Sequence, residues 1–444
     1  IGTGLRLNAT PDAEAIGWTP DQATEWCRRV ERRWKSWSTN PLECDARGKL
    51  TIPALTDAAI KQFLAFGEAN AILPQIGRAG SRSRIKVLMM PPHRHVLDSN
   101  IAEGWYQGVK LDGNGMPIAY RYRRTLKFSD ETIDFKARSS TGRPQVIHVF
   151  DGEPDQVRGV SPLTPVLLRV RQYDTLAEAT LTASLIQTII AATIKSPAFG
   201  EKAWEGFTPG DDENPASLGD EVEAFMDQKL AWARNTKLDL GAPGRIAHLF
   251  PGEEFQIHRP GTPTDTYLPY SKALLREIAR CLGMTYEAMT GDYEGATYSS
   301  VRMATSSIWS IVLRRRARVP APFVQAIYEA WLDEEIETGR IPFPGGYRRF
   351  LALRGETCAA EWHGPAKPAA DDLKSAKAAR ERLDGGITSL AYEMAEYGLD
   401  PETVFEQRGQ EREMALRHKL PDPFAPKNVR GEPMAASDTK EDDQ

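Results

Sequence analysis

Cysteine is nearly missing from this chain: four residues in 444, Cys27, Cys44, Cys281 and Cys358, with no C-x-x-C and no regular spacing. That pattern excludes a disulfide framework and a zinc module, and it fits folding in a reducing compartment with four buried free thiols. An excess of positive charge is missing too. Fifty-six Lys and Arg stand against 61 Asp and Glu, a formal net charge of −5. A protein that grips nucleic acid neutralises phosphates with clustered cations and is usually basic. If this chain meets DNA, it does so with a surface that does not hold on. The phosphate-cradling and catalytic signatures are absent as well, with no G-x-x-x-x-G-K-[ST], H-E-x-x-H or G-x-S-x-G, and no G-x-G-x-x-G between a strand and a helix. The chain is therefore not its own motor, and no enzyme activity, metal or cofactor is expected. Ile1 to Asn8 has neither a basic n-region nor an apolar h-region, and the chain opens on Ile rather than Met, so an upstream segment is expected to be missing.

Long hydrophobic runs are scarce, and the single one is informative. From Leu176 to Ile194 the only ionisable residue is Glu178, so a helix here has almost no polar face and must be covered. A membrane span needs about 20 predominantly apolar residues. Thr180, Thr182, Ser184, Gln187, Thr188 and Thr193 interrupt this run, and no second segment of that length follows. Cover by protein, including copies of the same chain, is the better account. The remainder, 41% hydrophobic and 26% charged, is ordinary globular composition with room for two to four domains.

Residues 1–158 read as a mixed α/β domain. Thr19-Pro20-Asp21 opens a helix carrying Trp26, Val30, Trp34 and Trp37 at helical spacing, and Thr56 to Glu68 is a second helix. Ile85 to Met90, Met116 to Tyr122 and Val146 to Phe150 have strand composition, and Asp112-Gly113-Asn114-Gly115 marks a hairpin. A long helix covers Pro162 to Lys195. Between Pro197 and Pro263, glycine and proline break the chain into a small α/β subdomain, with a helix at Leu218 to Leu230 and strands at Ile246 to Phe250 and Glu254 to His258. Asp265 to Leu282 is a helix closed by Gly283, Thr285 to Thr297 a loop, and Tyr298 to about Thr338 a helix that Pro320 and Pro322 must kink or break. Short capped helices follow at Asp371 to Leu383, Thr388 to Tyr397 and Asp400 to about Lys419, and the proline-rich, charged tail beyond Pro421 should be disordered.

Chemistry-bearing patterns are few and weak. His93 and His95 in PPHRH lack the further ligands a metal needs and read as strand-edge surface. Asp211-Asp212-Glu213 reads as a solvated loop. Ser83 and Lys86 match S-x-x-K by spacing only. The dense basic cluster is Arg314, Arg315, Arg316 and Arg318. Successive helical residues fan through 100° steps, so these arginines face several neighbours rather than forming one stripe. Contact with phosphate or an adjacent subunit, or a solvated stretch before Pro320, fits them equally.

Taken in order, the segments IGTGLRLNA (1–9), CDARGKLT (44–51), GVKLDGNGMPIAYRY (108–122) and VIHVFDGEPDQVRGVSPLTPVL (146–167) resemble the lambda family of tailed-bacteriophage portal proteins, the head-to-tail connectors. So do ATYSSVRMA (296–304), AEWHGPAKPAADDLKSAKAARERLDGGITSL (360–390) and YGLDPETVFEQRGQE (397–411). The resemblance implies an α+β, mainly helical fold of portal-type architecture, assembling as a cyclic ring with a central channel. Its parts would be a wing at 1–158, a first stem helix at 159–196, a clip at 197–263, a second stem helix at 264–284 and a tunnel loop at 285–297. A long kinked wing helix at 298–339, a return segment at 340–369, crown helices at 370–420 and a disordered tail at 421–444 would complete it.

The same resemblance implies Asp292, Glu294, Thr297, Tyr298 and Ser299 at or near a DNA channel, and Leu181, Leu185 and Ile189 packed in the stem. It implies a homo-oligomer of twelve copies, a terminase large subunit, a head-tail adaptor, capsid and scaffold proteins, and double-stranded DNA passing without sequence specificity. The location implied is the virion's portal vertex, after assembly in the host cytoplasm and without a membrane. Twelve copies would carry about −60 formal charges, which repels DNA from the walls. The competing account is a multi-helix membrane or pore-forming protein, motivated by Leu176 to Ile194.

Overall fold

Helix starts in this chain are written locally. Thr19 accepts from the Gln22 amide while the Gln22 side chain accepts from the Thr19 amide, a capping box that launches a 19-residue helix with Pro20 at its first position. Asn40 and Thr51 cap the two helices that follow it, their side chains accepting from the Leu42 and Ala54 amides. In the computed structural model, residues 4–124, 131–189, 192–195, 227–228, 230–231, 234, 254–257, 266–365, 372–397, 399, 401–422 and 424 are described. They fall into two units, residues 1–167 with 276–444, and residues 168–275.

The first unit opens with β1 (Arg6–Ala9), α1 (Ala13–Ile16), α2 (Pro20–Ser38), α3 (Pro41–Cys44) and α4 (Ile52–Phe66). Strands β2 (Glu68–Ile72), β3 (Leu88–Met90), β4 (Trp105–Tyr106), β5 (Val109–Leu111), β6 (Pro117–Arg123), β7 (Thr132–Lys136) and β8 (Val146–Phe150) follow. They form two antiparallel sheets, ordered β3-β2-β8 and β4-β5-β6-β7. The β5–β6 hairpin turns at Asp112 to Gly115, where an Asp112 carboxylate oxygen accepts from the Asn114 and Met116 amides and Gly115 sits at φ +84°. Helix α4 begins at Ile52, not Thr56, and ends at Phe66 because Gly67 takes the left-handed cap conformation, which leaves Glu68 to start a strand.

Helix α5 (Leu167–Ile189) begins at the boundary of the two units. It stops short of the run expected to end at Lys195, and Ala192–Lys195 is instead β9, paired antiparallel with β10 (Glu254–Ile257). β-Branched Thr193 and Ile194 are stiff at χ1 and suit a strand better than a helix terminus. Within α5, Thr180 and Ser184 donate to the carbonyls four residues back, at 2.7 and 2.8 Å, so their hydroxyls are spent on the helix itself. Leu181 and Leu185 lie exposed in the single chain, at 62% and 55%. Ile189 closes the helix, and its side chain lies outside the described residues, as do Asp211 to Glu213, Ile246 to Phe250, nearly all of Leu218 to Leu230 and the tail from 425. Among the described residues, no helix is long and apolar enough to cross a membrane.

Helices α6 (Tyr267–Leu282), α7 (Tyr286–Thr290), α8 (Tyr298–Arg318) and α9 (Pro320–Glu337) come next, then α10 (Gly346–Ala352), α11 (Arg354–Thr357) and β11 (Ala360–His363). Of the kink or break expected in the helix over 298–339, the structure has the break, because Pro320 offers no amide and pushes Val319 out of helical conformation to φ −121°. Helix α9 is a core element. Trp331 and Tyr328 on it meet Trp34 of α2 at 5.3 and 5.6 Å, while Trp362 of β11 closes the cluster at 5.8 Å. β11 pairs with β1 antiparallel, Arg6 opposite His363, and so ties the chain's start to its later third. Helices α12 (Asp372–Asp384), α13 (Leu390–Glu396) and α14 (Pro401–Arg417) follow.

Two further expectations need correction. Cys44 and Cys358 are buried, but Cys27 and Cys281 are only half-buried. His95 is not strand-edge surface. It is 2% exposed, its Nε2 lies 3.3 Å from the Gly108 carbonyl, and its ring lies against Tyr122. With Glu68 and His148 it makes the one grouping among the described residues that could hold a metal. Both Glu68 oxygens already accept from the Arg158 guanidinium, and Oε2 also from His148 at 3.0 Å, so a cation would have to displace an arginine. Burial, aided by Arg158 and His148, pushes the His95 ring down to about 3. It is therefore neutral in the fold yet charges near pH 6.5 once unfolded, so its stabilisation is complete above pH 6.5 and drains away as the pH falls toward 3. The slope from this ring should approach about 1.4 kcal/mol per pH unit. Denaturant midpoints between pH 7 and 4 should fall less steeply for His95→Asn than for the parent, and equal slopes would refute the assignment.

Candidate functional site

The segment between α6 and α8 is fixed at both ends by signals readable from its residues. At the α6 end, the Gly283 amide donates to the Arg280 carbonyl at 3.1 Å and the Met284 amide to Ala279 at 2.9 Å, with Gly283 at φ +70°. This is a Schellman closure. At the α8 end, Thr297 and Ser300 form a capping box, with Thr297 N donating to Ser300 Oγ at 3.0 Å and Ser300 N to Thr297 Oγ1 at 3.3 Å.

Between those ends the expected open loop contains the single-turn helix α7. Thr285 caps it through the Ala288 amide, and left-handed Gly291 ends it. The Tyr286 hydroxyl then reaches forward to Asp292 Oδ2 at 2.8 Å, while Asp292 Oδ1 accepts from the Glu294 amide at 3.0 Å. The Arg276 guanidinium stands over the Tyr286 ring at 5.4 Å. Tyr293 (57%), Glu294, Thr297 and Ser299 are exposed and Asp292 is half-buried, while the Tyr298 side chain lies outside the described residues. No Lys or Arg occurs from Gly283 to Val301, whereas Glu287, Asp292 and Glu294 do. The segment is therefore acidic and internally braced.

The four clustered arginines near the end of α8 all have partners within the chain. Arg314 and Arg318 both reach Asp151 just beyond β8, Arg314 at 3.8 Å. Arg315 donates to the Cys281 carbonyl at 2.6 Å and to the Leu282 carbonyl, the last two residues of α6. Arg316 donates to the Pro365 carbonyl at 3.0 Å and lies over the Trp309 ring. Sequence reasoning foresaw their divergence and missed their partners. Asp151 belongs to an Asp-Gly pair that reads only as a strand stop, and main-chain carbonyls leave no mark in a sequence.

Ser83 and Lys86 form no nucleophile–base pair. Ser83 Oγ donates to Glu334, and the buried Lys86 ammonium donates to the Glu43 and Ser83 carbonyls and to Ser81.

The family model for phage portal proteins of the lambda family matches residues 1–316. The chain belongs to the lambda family of phage portal proteins. Portal proteins are structural components rather than enzymes. The portal protein of Escherichia phage N15 is 24% identical over 424 residues, covering 93% of this chain and 78% of its own. Portal protein B of Escherichia phage lambda is 24% identical over 419 residues, with the same coverage. Among solved structures, a chain from the virion of a native gene transfer agent particle has 16% identity and a TM-score of 0.41, covering 89% of this portal protein and 96% of that chain. The family assignment rests on the sequence match.

Proposed function

We propose that this portal protein assembles as a ring of twelve copies at one capsid vertex and passes double-stranded DNA through its centre without sequence specificity. Residues 285–297 form the tunnel loop, with Asp292, Glu294, Thr297, Tyr298 and Ser299 at or near the channel. The ring receives DNA from the terminase large subunit, later releases it, and carries the head-tail adaptor. Major capsid and scaffold proteins are its partners in assembly in the host cytoplasm, and its final place is the portal vertex of the virion. The observation that supports this best is the acidic, cation-free segment from Gly283 to Val301. A conduit must let the duplex slide at every phase, and each phosphate neutralised by a fixed cation acts as a brake.

A ring also accounts for α5. Its exposed Leu181 and Leu185 are covered once neighbouring copies pack around the stem, because head-to-tail contacts of one surface on another close into a cycle. Electron-microscopy class averages of the purified protein should show a ring with a central hole. Leu185→Glu should leave unassembled chains, since a buried unpaired charge is repeated at every interface. A parent protein that stays a monomer would end the proposal, and unimpaired rings from Leu185→Glu would end the stem assignment.

A further inference from the structure

We propose that Arg315 is a positioning residue for the segment 285–297, the staple that fixes where it leaves α6. The inference rests on the reading of that segment as the tunnel loop. Arg315 lies outside the segment, yet its guanidinium donates to both terminal carbonyls of α6, Cys281 and Leu282. Those carbonyls have no amide partners within the helix and carry the negative end of its dipole, so a cationic fork is the group that suits them. Gly283 leaves room for the fork. A Cβ there would meet Arg315 Nη1 at 2.8 Å and Ile311 Cγ2 at 3.2 Å, on a backbone already at φ +70°.

This contact sets the geometry of the segment. Gly283 lies beside Ile311, 13 residues along α8 from Tyr298, which is about 20 Å at 1.5 Å per residue. The segment must therefore return that distance to enter α8 at Thr297. It is a strap, braced in its middle by Tyr286 and Asp292, tied at one end by covalent entry into α8 and at the other by Arg315. The other arginines hold α8 steady beneath it, Arg314 and Arg318 on Asp151 and Arg316 on Pro365. Without the Arg315 fork, the strap loses the tie that holds its α6 end against α8.

The test compares assembled rings of the parent with Arg315→Met, which keeps the bulk and loses the donors, and with Arg315→Lys, which keeps the charge and loses the fork. Amide hydrogen exchange should rise at least about tenfold over residues 284–296 in Arg315→Met and less in Arg315→Lys, with exchange in α2 and α9 unchanged. Gly283→Ala attacks the same contact from the other side and should loosen the same amides, which keeps the proposal testable if Arg315→Met fails to assemble. Arg318→Met should leave them protected. Unchanged exchange over 284–296 in both Arg315→Met and Gly283→Ala overturns the proposal. DNA packaging by the same rings separates the two levels. Faster exchange with a packaging defect supports both, and faster exchange with normal packaging upholds the staple while removing the strap from the DNA path.

Discussion

Replacing Glu334 with alanine should leave little folded portal protein, although the residue sits in the charged run Asp333-Glu334-Glu335 that looks like a solvated helix face. All three carboxylates are buried on α9, at 0, 2 and 3% exposure. Glu334 accepts from the Arg84 amide at 2.6 Å, and its second oxygen accepts from the Ser83 hydroxyl at 2.7 Å and the Ile85 amide at 2.9 Å. Arg340 lies 3.4 Å away. Glu335 pairs with Arg33 of α2 and with Arg340, and Asp333 with Arg354, Arg143 and the Tyr347 hydroxyl. The three side chains thus tie α9 to segments distant in sequence.

Alanine at 334 strands the buried Ile85 amide, the part-buried Arg84 amide and the buried Ser83 hydroxyl. Each orphaned group costs about 1–3 kcal/mol, and removing one member of a buried charged pair about 3–5 kcal/mol. Domains have only about 5–15 kcal/mol in total. Glu334→Gln keeps the volume yet turns an NH2 toward donors, so it should also destabilise, by about 2–4 kcal/mol. The measurement is the denaturant midpoint of purified protein or, for the alanine variant, soluble yield. A loss below about 1 kcal/mol for both variants would show that the carboxylate does not hold these segments together.

Why that hub was invisible in the sequence follows from where its partners come from. The capping box at Thr19, the Asp112 hairpin, the Gly283 closure and the Thr297 cap are legible because donor and acceptor lie within five residues. Glu334 meets residues some 250 positions away, and no local pattern distinguishes its burial from solvation. The same limit hid β2, whose five residues are all buried and show no alternation, and misplaced the end of α5, where β9 forms on a partner 60 residues on. At the loop, both ends were readable, and so in retrospect are the Thr285 cap and Gly291 stop of α7, but the bond from Tyr286 to Asp292 that braces the segment was not.

Deleting Asp292 to Thr297 should spare the ring and disable its use. The deletion removes the Thr297 cap, worth about 1 kcal/mol, and the Tyr286–Asp292 bond, and it leaves every residue of α5 in place. Chain length is not the obstacle. The remaining residues 284–291 can still span the roughly 20 Å from Gly283 to Tyr298, because α7 contributes 1.5 Å per residue and the extended links about 3.3 Å each. What disappears is Glu294, with Asp292 and the exposed Thr297, from a surface whose negative charge and lack of cations are proposed to keep DNA sliding. In packaging reactions with matched proheads and terminase, filled heads should fall by at least about tenfold, as expected when an element that gates passage is lost. A Gly/Ser segment of equal length in place of 292–297 separates chemistry from reach, and should restore the length of the loop without recovering packaging or DNA retention. If heads fill normally with the deletion, residues 285–297 do not form the tunnel loop, and the acidic strap along α8 must serve something other than DNA.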